Sequence, residues 1–162
     1  IRDKLVTGVQ TCALPIFRIY LSEVLSRQGF QVQEFQNAES FLMKLEASLK
    51  TGNPFIDIVL CDVRLPGLDG LEFVGKVKEK TPEIPVILMT AYAEVQSAVR
   101  AIREGAYDYL EKPFDLARLN SVLENGLRFR RLAYENRFLK NMIDPDIKLQ
   151  GVQCQKIGRA HV

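Results

Sequence analysis

The chain has 162 residues, 47% of them hydrophobic and 26% charged, which suffices for one compact domain with a real core and a short appendage. Its formal charge of +2 is too small to imply nucleic-acid or membrane binding on its own. No run of about 18 apolar residues argues for a membrane-spanning helix, and the cysteines at positions 12, 61 and 154 lack metal-site spacing and fit a reducing, cytoplasmic setting.

The two ends stand apart from the rest. Residues 1–16 read IRDKLVTGVQTCALPI and the last seven read KIGRAHV, with neither capping signals nor clear periodicity. One DNA string accounts for both. GATCGGAAGAGC encodes Ile-Gly-Arg and the start of an Ala codon in one frame, and its reverse complement encodes Ala-Leu-Pro-Ile. These are Ile157 to Ala160 and Ala13 to Ile16. Residues 1–16 and 156–162 therefore read as translated sequencing adapter around a short genomic insert, and they carry no functional inference. Setting aside Arg2, Lys4, Lys156, Arg159 and Asp3 leaves 18 basic and 19 acidic residues, a net −1. The single histidine, His161, goes with them.

Within the insert, helical and strand patterns alternate. Residues 17–28 put Phe17, Leu21, Val24 and Leu25 on one helical face and stop at Gly29. Residues 30–35 (FQVQEF) alternate as a half-exposed strand does. Asn37 is a candidate N-cap for a helix to Leu49, with Glu39 in its first turn. Gly52-Asn53-Pro54 breaks the chain, and IDIVLC at 56–61 is an apolar strand running into Asp62. A turn at Pro66-Gly67 precedes a helix over 70–80, a buried strand over 85–90 and a helix over 94–104 that stops at Gly105. Tyr107 to Leu110 is a last short strand, broken by Lys112-Pro113, and a long helix covers 115–142.

This alternation predicts an α/β domain with a parallel sheet and helices on both faces. A doubly wound sheet of five strands in the order 2-1-3-4-5 should open on a strand, and the insert shows only four. The missing first strand falls among the adapter residues, where TGVQTCA at 7–13 could fill its place. Ligands of such sheets bind at the carboxyl ends of the strands, where Asp62, Thr90 and Lys112 all fall. A carboxylate can attack phosphorus to give an acyl phosphate. Lysine and threonine can then supply a point charge and a hydrogen bond to the phosphoryl oxygens, with a hard divalent cation bridging. Each residue also has a plainer reading. Asp62 could be a loop N-cap, Thr90 an ordinary strand end, Lys112 a loop lysine and Cys61 a small buried apolar residue.

Three stretches, CDVRLPGLDGLEF around Asp62, PVILMTAYA around Thr90 and GAYDYLEKPF around Lys112, resemble the response regulator receiver family over roughly residues 17–125. The resemblance implies a flavodoxin-like fold and a two-component phosphorelay role. Asp62 would accept a phosphoryl group from a sensor histidine kinase, with no enzymatic activity beyond its own phosphorylation and dephosphorylation. Thr90 would be the switch hydroxyl, Tyr109 its aromatic rotamer partner or else a core residue, and Lys112 the partner of Asp62 or its phosphate. The Lys112-Pro113 bond would be cis, and Gly67 and Gly70 would shape the loop. Mg²⁺ would be held by Asp62, the backbone carbonyl of Arg64 and an acidic pair after the first strand. Counting back from Gly29, that pair falls at Cys12 and Ala13, neither a Mg²⁺ ligand, so weak Mg²⁺ binding and impaired phosphorylation are expected.

In the long helix, Leu119, Leu123, Leu127, Tyr134, Phe138 and Met142 recur at helical spacing among Arg128, Arg130, Arg131 and Arg137. The stripe suggests a coiled-coil homodimer or a helix folded back on its own sheet. The basic cluster reads as a solvated face rather than a nucleic-acid site. LRFRRLAYENRFLKNMI resembles the linker of nitrogen-regulator-type, sigma-54-dependent transcriptional activators. Residues 126–146 would then be a linker helix and 147–155 the start of a truncated downstream domain. With no P-loop or helix-turn-helix in the chain, direct DNA binding is not expected. An aspartyl phosphatase would carry a second Asp two residues after the nucleophile, where Arg64 stands. A phosphorylation-independent pseudo-receiver is the alternative.

Overall fold

The structure, a computed structural model, describes residues 4–9, 15–52, 56–65, 67–91 and 95–142. Its elements in chain order are β1 (Lys4–Val9), α1 (Pro15–Arg27), β2 (Phe30–Phe35), α2 (Ala38–Lys50), β3 (Ile58–Asp62), α3 (Gly70–Lys80), β4 (Val86–Thr90), α4 (Val95–Arg103), β5 (Asp108–Glu111) and α5 (Leu116–Met142). The five strands form one sheet in the order β2-β1-β3-β4-β5, every neighbour parallel. This is the expected doubly wound architecture with a long C-terminal helix.

The sheet is covered on both faces, and the central strands show why their sequences look uniformly apolar. Side chains alternate across a strand. Val59 and Cys61 of β3, with Val86 and Leu88 of β4, enter one core with Phe41 and Leu45 of α2 and Phe73, Val74 and Val77 of α3. Ile58 and Leu60, with Ile87 and Met89, enter the other with Leu21 and Leu25 of α1 and Leu119, Val122 and Leu123 of α5. Every residue of β3 and β4 is buried. Burying Leu or Ile side chains on this scale contributes about 1.5–3 kcal/mol each before chain entropy is counted.

Local signals set the starts of three helices. The Asn37 carboxamide oxygen accepts from Ser40 N at 2.8 Å, capping α2 as expected. Asp69 caps α3 by accepting from Leu71 N at 3.3 Å, so the cap of that helix is Asp69 and not Asp62. Asp115 accepts from Arg118 N at 2.6 Å at the start of α5.

Two sequence expectations shift. The first strand spans Lys4–Val9 rather than 7–13: all six residues pair with Phe30–Phe35, and Val6–Val9 also pair with Ile58–Cys61. Two-sided pairing, rather than the weak propensity of TGVQTCA, decides the register. The stripe on the long helix also divides. Leu119 and Leu123 are fully buried in the domain core and Leu127 packs against it, whereas Tyr134, Phe138 and Met142 are exposed.

The basic cluster is not simply a solvated face. Arg130 is 6% exposed and lies 3.6 Å from Glu83 and 4.0 Å from Asp57, while Arg137 meets Glu83 at 2.7 Å. Asp57 and Glu83 precede β3 and β4, so these pairs pin α5 to the sheet at the end opposite Asp62. Gly126 brings α5 close, since a Cβ there would lie 2.6 Å from Ile58 Cδ1.

Candidate functional site

Asp62 is the last residue of β3, Thr90 the last of β4, and Lys112 follows β5, so three adjacent strands deliver three polar residues to one rim. The register is continuous there: Asp62 stands opposite Met89 and Thr90 opposite Glu111, and Lys112 N donates to the Thr90 carbonyl at 2.6 Å. Burial does not leave these groups to solvent. Asp62 is 8% and Thr90 7% exposed.

The Lys112 ammonium donates to Asp62 Oδ2 at 2.5 Å, and Arg64 N donates to Asp62 Oδ1 at 3.0 Å. Both carboxylate oxygens are therefore held by donors, which fixes the rotamer. Lys112 also lies 4.8 Å from the centroid of the Phe17 ring, and Phe17 meets Phe114 edge to face at 5.8 Å. The Lys112-Pro113 bond is cis, as expected. Tyr109 is half-buried and packs against the core cluster of α2 and α3.

The loop after Asp62 folds back tightly. Gly70 N donates to the Val63 carbonyl at 2.9 Å, and a Cβ at Gly70 would sit 2.7 Å from Val63 Cα and 2.9 Å from the Asp62 carbonyl oxygen. Gly67 adopts φ +80°, a conformation other residues rarely take. Replacing Gly70 with alanine should lower stability by about 2 kcal/mol, because backbone rather than a flexible side chain must yield. Gly75 in the same helix has nothing within 4 Å of its Cβ position, so Gly75→Ala should be neutral or stabilising by roughly 0.5–1 kcal/mol. Urea unfolding of the two variants checks the contrast.

Cys61 is fully buried, and desolvation, reinforced by Asp62 and Asp69, pushes its thiol well above the ordinary range. It should resist alkylation in the folded chain and react only on unfolding, which peptide mapping would show.

The carboxylates needed for a divalent cation are missing. No Asp or Glu occurs between Asp3 and Glu23, and Cys12 and Ala13 lie outside the described residues. Among the described residues no cluster of three His, Cys, Asp or Glu could hold a metal ion. β1 ends at Val9 opposite Cys61, the residue before Asp62. Among the described residues the donor set at this rim therefore does not fit Mg²⁺. Among the described residues no helix is long and apolar enough to cross a membrane.

Comparison with known proteins shows the family of the chain. The family model "Response regulator receiver domain" matches residues 14–124. The chain is 39% identical over 122 residues to the regulatory protein AtoC of Escherichia coli K12, covering 75% of this chain and 25% of that protein. It is 36% identical over 143 residues to the DNA-binding transcriptional regulator NtrC of Salmonella typhimurium LT2, covering 88% and 28%. The chain thus spans only about a quarter of the length of these relatives. Among solved structures it is similar to the beryllofluoride-activated NtrC4 receiver domain dimer, with TM-score 0.69, 27% identity, and 78% and 98% of the two chains covered.

Proposed function

Since the chain belongs to the response regulator receiver domain family, we propose that Asp62 is its phosphoacceptor and that phosphorylation regulates an attached transcription-activating output. The observation that carries this reading is the Lys112 ammonium held on the Asp62 carboxylate at the strand-end rim. The donor is a sensor histidine kinase. An Asp62 oxygen attacks phosphorus, the bond from phosphorus to the donor's leaving atom breaks, and the leaving group departs with that electron pair. Lys112 offsets charge on the phosphoryl oxygens, and Thr90 turns its hydroxyl toward them. Tyr109, on the strand beside Thr90, follows that turn.

Receiver domains in general bind Mg²⁺, for which the backbone carbonyl of Arg64 and Asp62 would supply two oxygen donors. The acidic pair is absent, so this chain binds Mg²⁺ weakly and phosphorylates slowly. The same absence favours a second reading, in which the chain as it stands works as a phosphorylation-independent interaction module.

Leu132, Phe138, Leu139 and Met142 are exposed on α5. At about 1.5 Å per residue, its 27 residues reach roughly 40 Å, past a five-residue strand of about 17 Å. A second copy of the chain covers these apolar residues in a homodimer.

A beryllofluoride titration with Mg²⁺, read from the amide signals of Asp62, Thr90 and Lys112, tests the proposal. It is run on this chain and on C12D/A13D, which restores two carboxylates. Saturable shifts at all three residues in C12D/A13D, with little response in the unaltered chain, support it. No response in either chain would leave the interaction module as the better account.

A further inference from the structure

Phe17 reads in the sequence as one more apolar position on a helix face, and its ring does pack on the α1–α5 core. Its contact with Lys112 is of a different kind. Lys112 Nζ lies 4.8 Å from the centroid of that ring while donating to Asp62 Oδ2 at 2.5 Å. The ring is itself braced by Phe114, 5.8 Å away at an interplanar angle of 70°. The Lys112 side chain is only 16% exposed, so little water is left to solvate its ammonium.

A lysine side chain has four rotatable bonds and gives up much rotamer freedom when held in one place. The negative face of an aromatic ring attracts an ammonium and replaces part of its lost hydration. An aliphatic side chain of the same size would fill the space without that attraction.

We propose that Phe17 is a positioning residue for Lys112. With Phe114 bracing it, the ring confines the ammonium to the Asp62 side of the site. The helix that follows the first strand thereby contributes to the phosphoacceptor site through Lys112. The inference rests on the reading of Asp62 as phosphoacceptor for its consequence, but not for the contact itself.

The test compares the chain with F17L, which keeps apolar bulk, and F17Y, which keeps the ring. In protein labelled on lysine, the Lys112 ε-methylene resonances should be displaced by the ring current in the chain and in F17Y. In F17L they should move to ordinary lysine positions, and the ammonium signal should broaden by exchange. In C12D/A13D backgrounds, phosphorylation by acetyl phosphate should fall about three- to ten-fold with F17L and stay within about two-fold with F17Y. Circular dichroism should show all variants folded. Unchanged Lys112 resonances in F17L would overturn the proposal. So would equal loss in F17L and F17Y, the mark of a purely structural role, or an undiminished F17L rate. If none of the variants is phosphorylated while the resonances behave as expected, the phosphoacceptor reading fails and the positioning of Lys112 stands.

Discussion

Lys112→Met should cost about 1–3 kcal/mol of stability and, in the C12D/A13D background, about 10²-fold in the rate of phosphorylation. The two effects share one cause. Asp62 and Lys112 have side chains only 12% and 16% exposed, so the pair is poorly hydrated and each charge depends on the other. Removing the ammonium leaves a carboxylate with one remaining described donor, the Arg64 N–H. The stability cost stays below that of a fully buried broken pair because some solvent still reaches the rim. Methionine keeps the stem's apolar packing, which separates lost charge from lost volume. The double variant D62N/K112M should recover much of the stability without recovering phosphorylation. Urea unfolding and phosphorylation rates measured on the parent and the two variants would show whether the losses separate in this way. A K112M chain as stable and as fast as its parent would remove the central ion pair from the account.

The second large effect lies at the opposite end of the sheet. Arg130→Ala should destabilise the domain by about 2–4 kcal/mol, and Arg137→Ala by no more than about 0.5–1 kcal/mol. Both arginines meet Glu83, but Arg130 is 7% exposed at its side chain and Arg137 65%. Loss of Arg130 also takes away a cation beside Asp57 and the packing of a long side chain under α5. The exposed Arg137 pair is screened by water and salt, so its loss is small and shrinks further at high ionic strength. Urea midpoints for both variants, at low and high salt, decide the matter. Equal effects would mean that burial of Arg130 carries no special weight.

What could be read in the sequence, and what could not, follows from how far each signal reaches along the chain. The apolar runs of β3 and β4, the stop at Gly29 and the Asn37 cap are local, and the element order came out of them directly. Asp62, Thr90 and Lys112 were legible because each ends or directly follows a recognisable strand, and parallel strands bring such ends together. Arg130 was not legible. In the sequence it is one of several arginines on a polar helix, and only the fold puts Asp57 and Glu83 beneath it. Nor was the close approach of α5 to Ile58 at Gly126 legible; only the packed helix shows it. Phe17 fits the apolar face so well that no pattern could separate its packing from its contact with Lys112. The first strand was misplaced by three residues at its start because short β patterns carry little register information until partners on both sides pair with them.

The most direct test of the account concerns Asp62 itself. C12D/A13D protein is treated with acetyl phosphate and Mg²⁺, reduced with borohydride, and mapped by mass spectrometry. Asp62 should be converted to homoserine, with no conversion in the D62N version and far slower labelling of the chain with Cys12 and Ala13 in place. Modification at another residue, persistence in D62N, or full-rate labelling of the unaltered chain would contradict it.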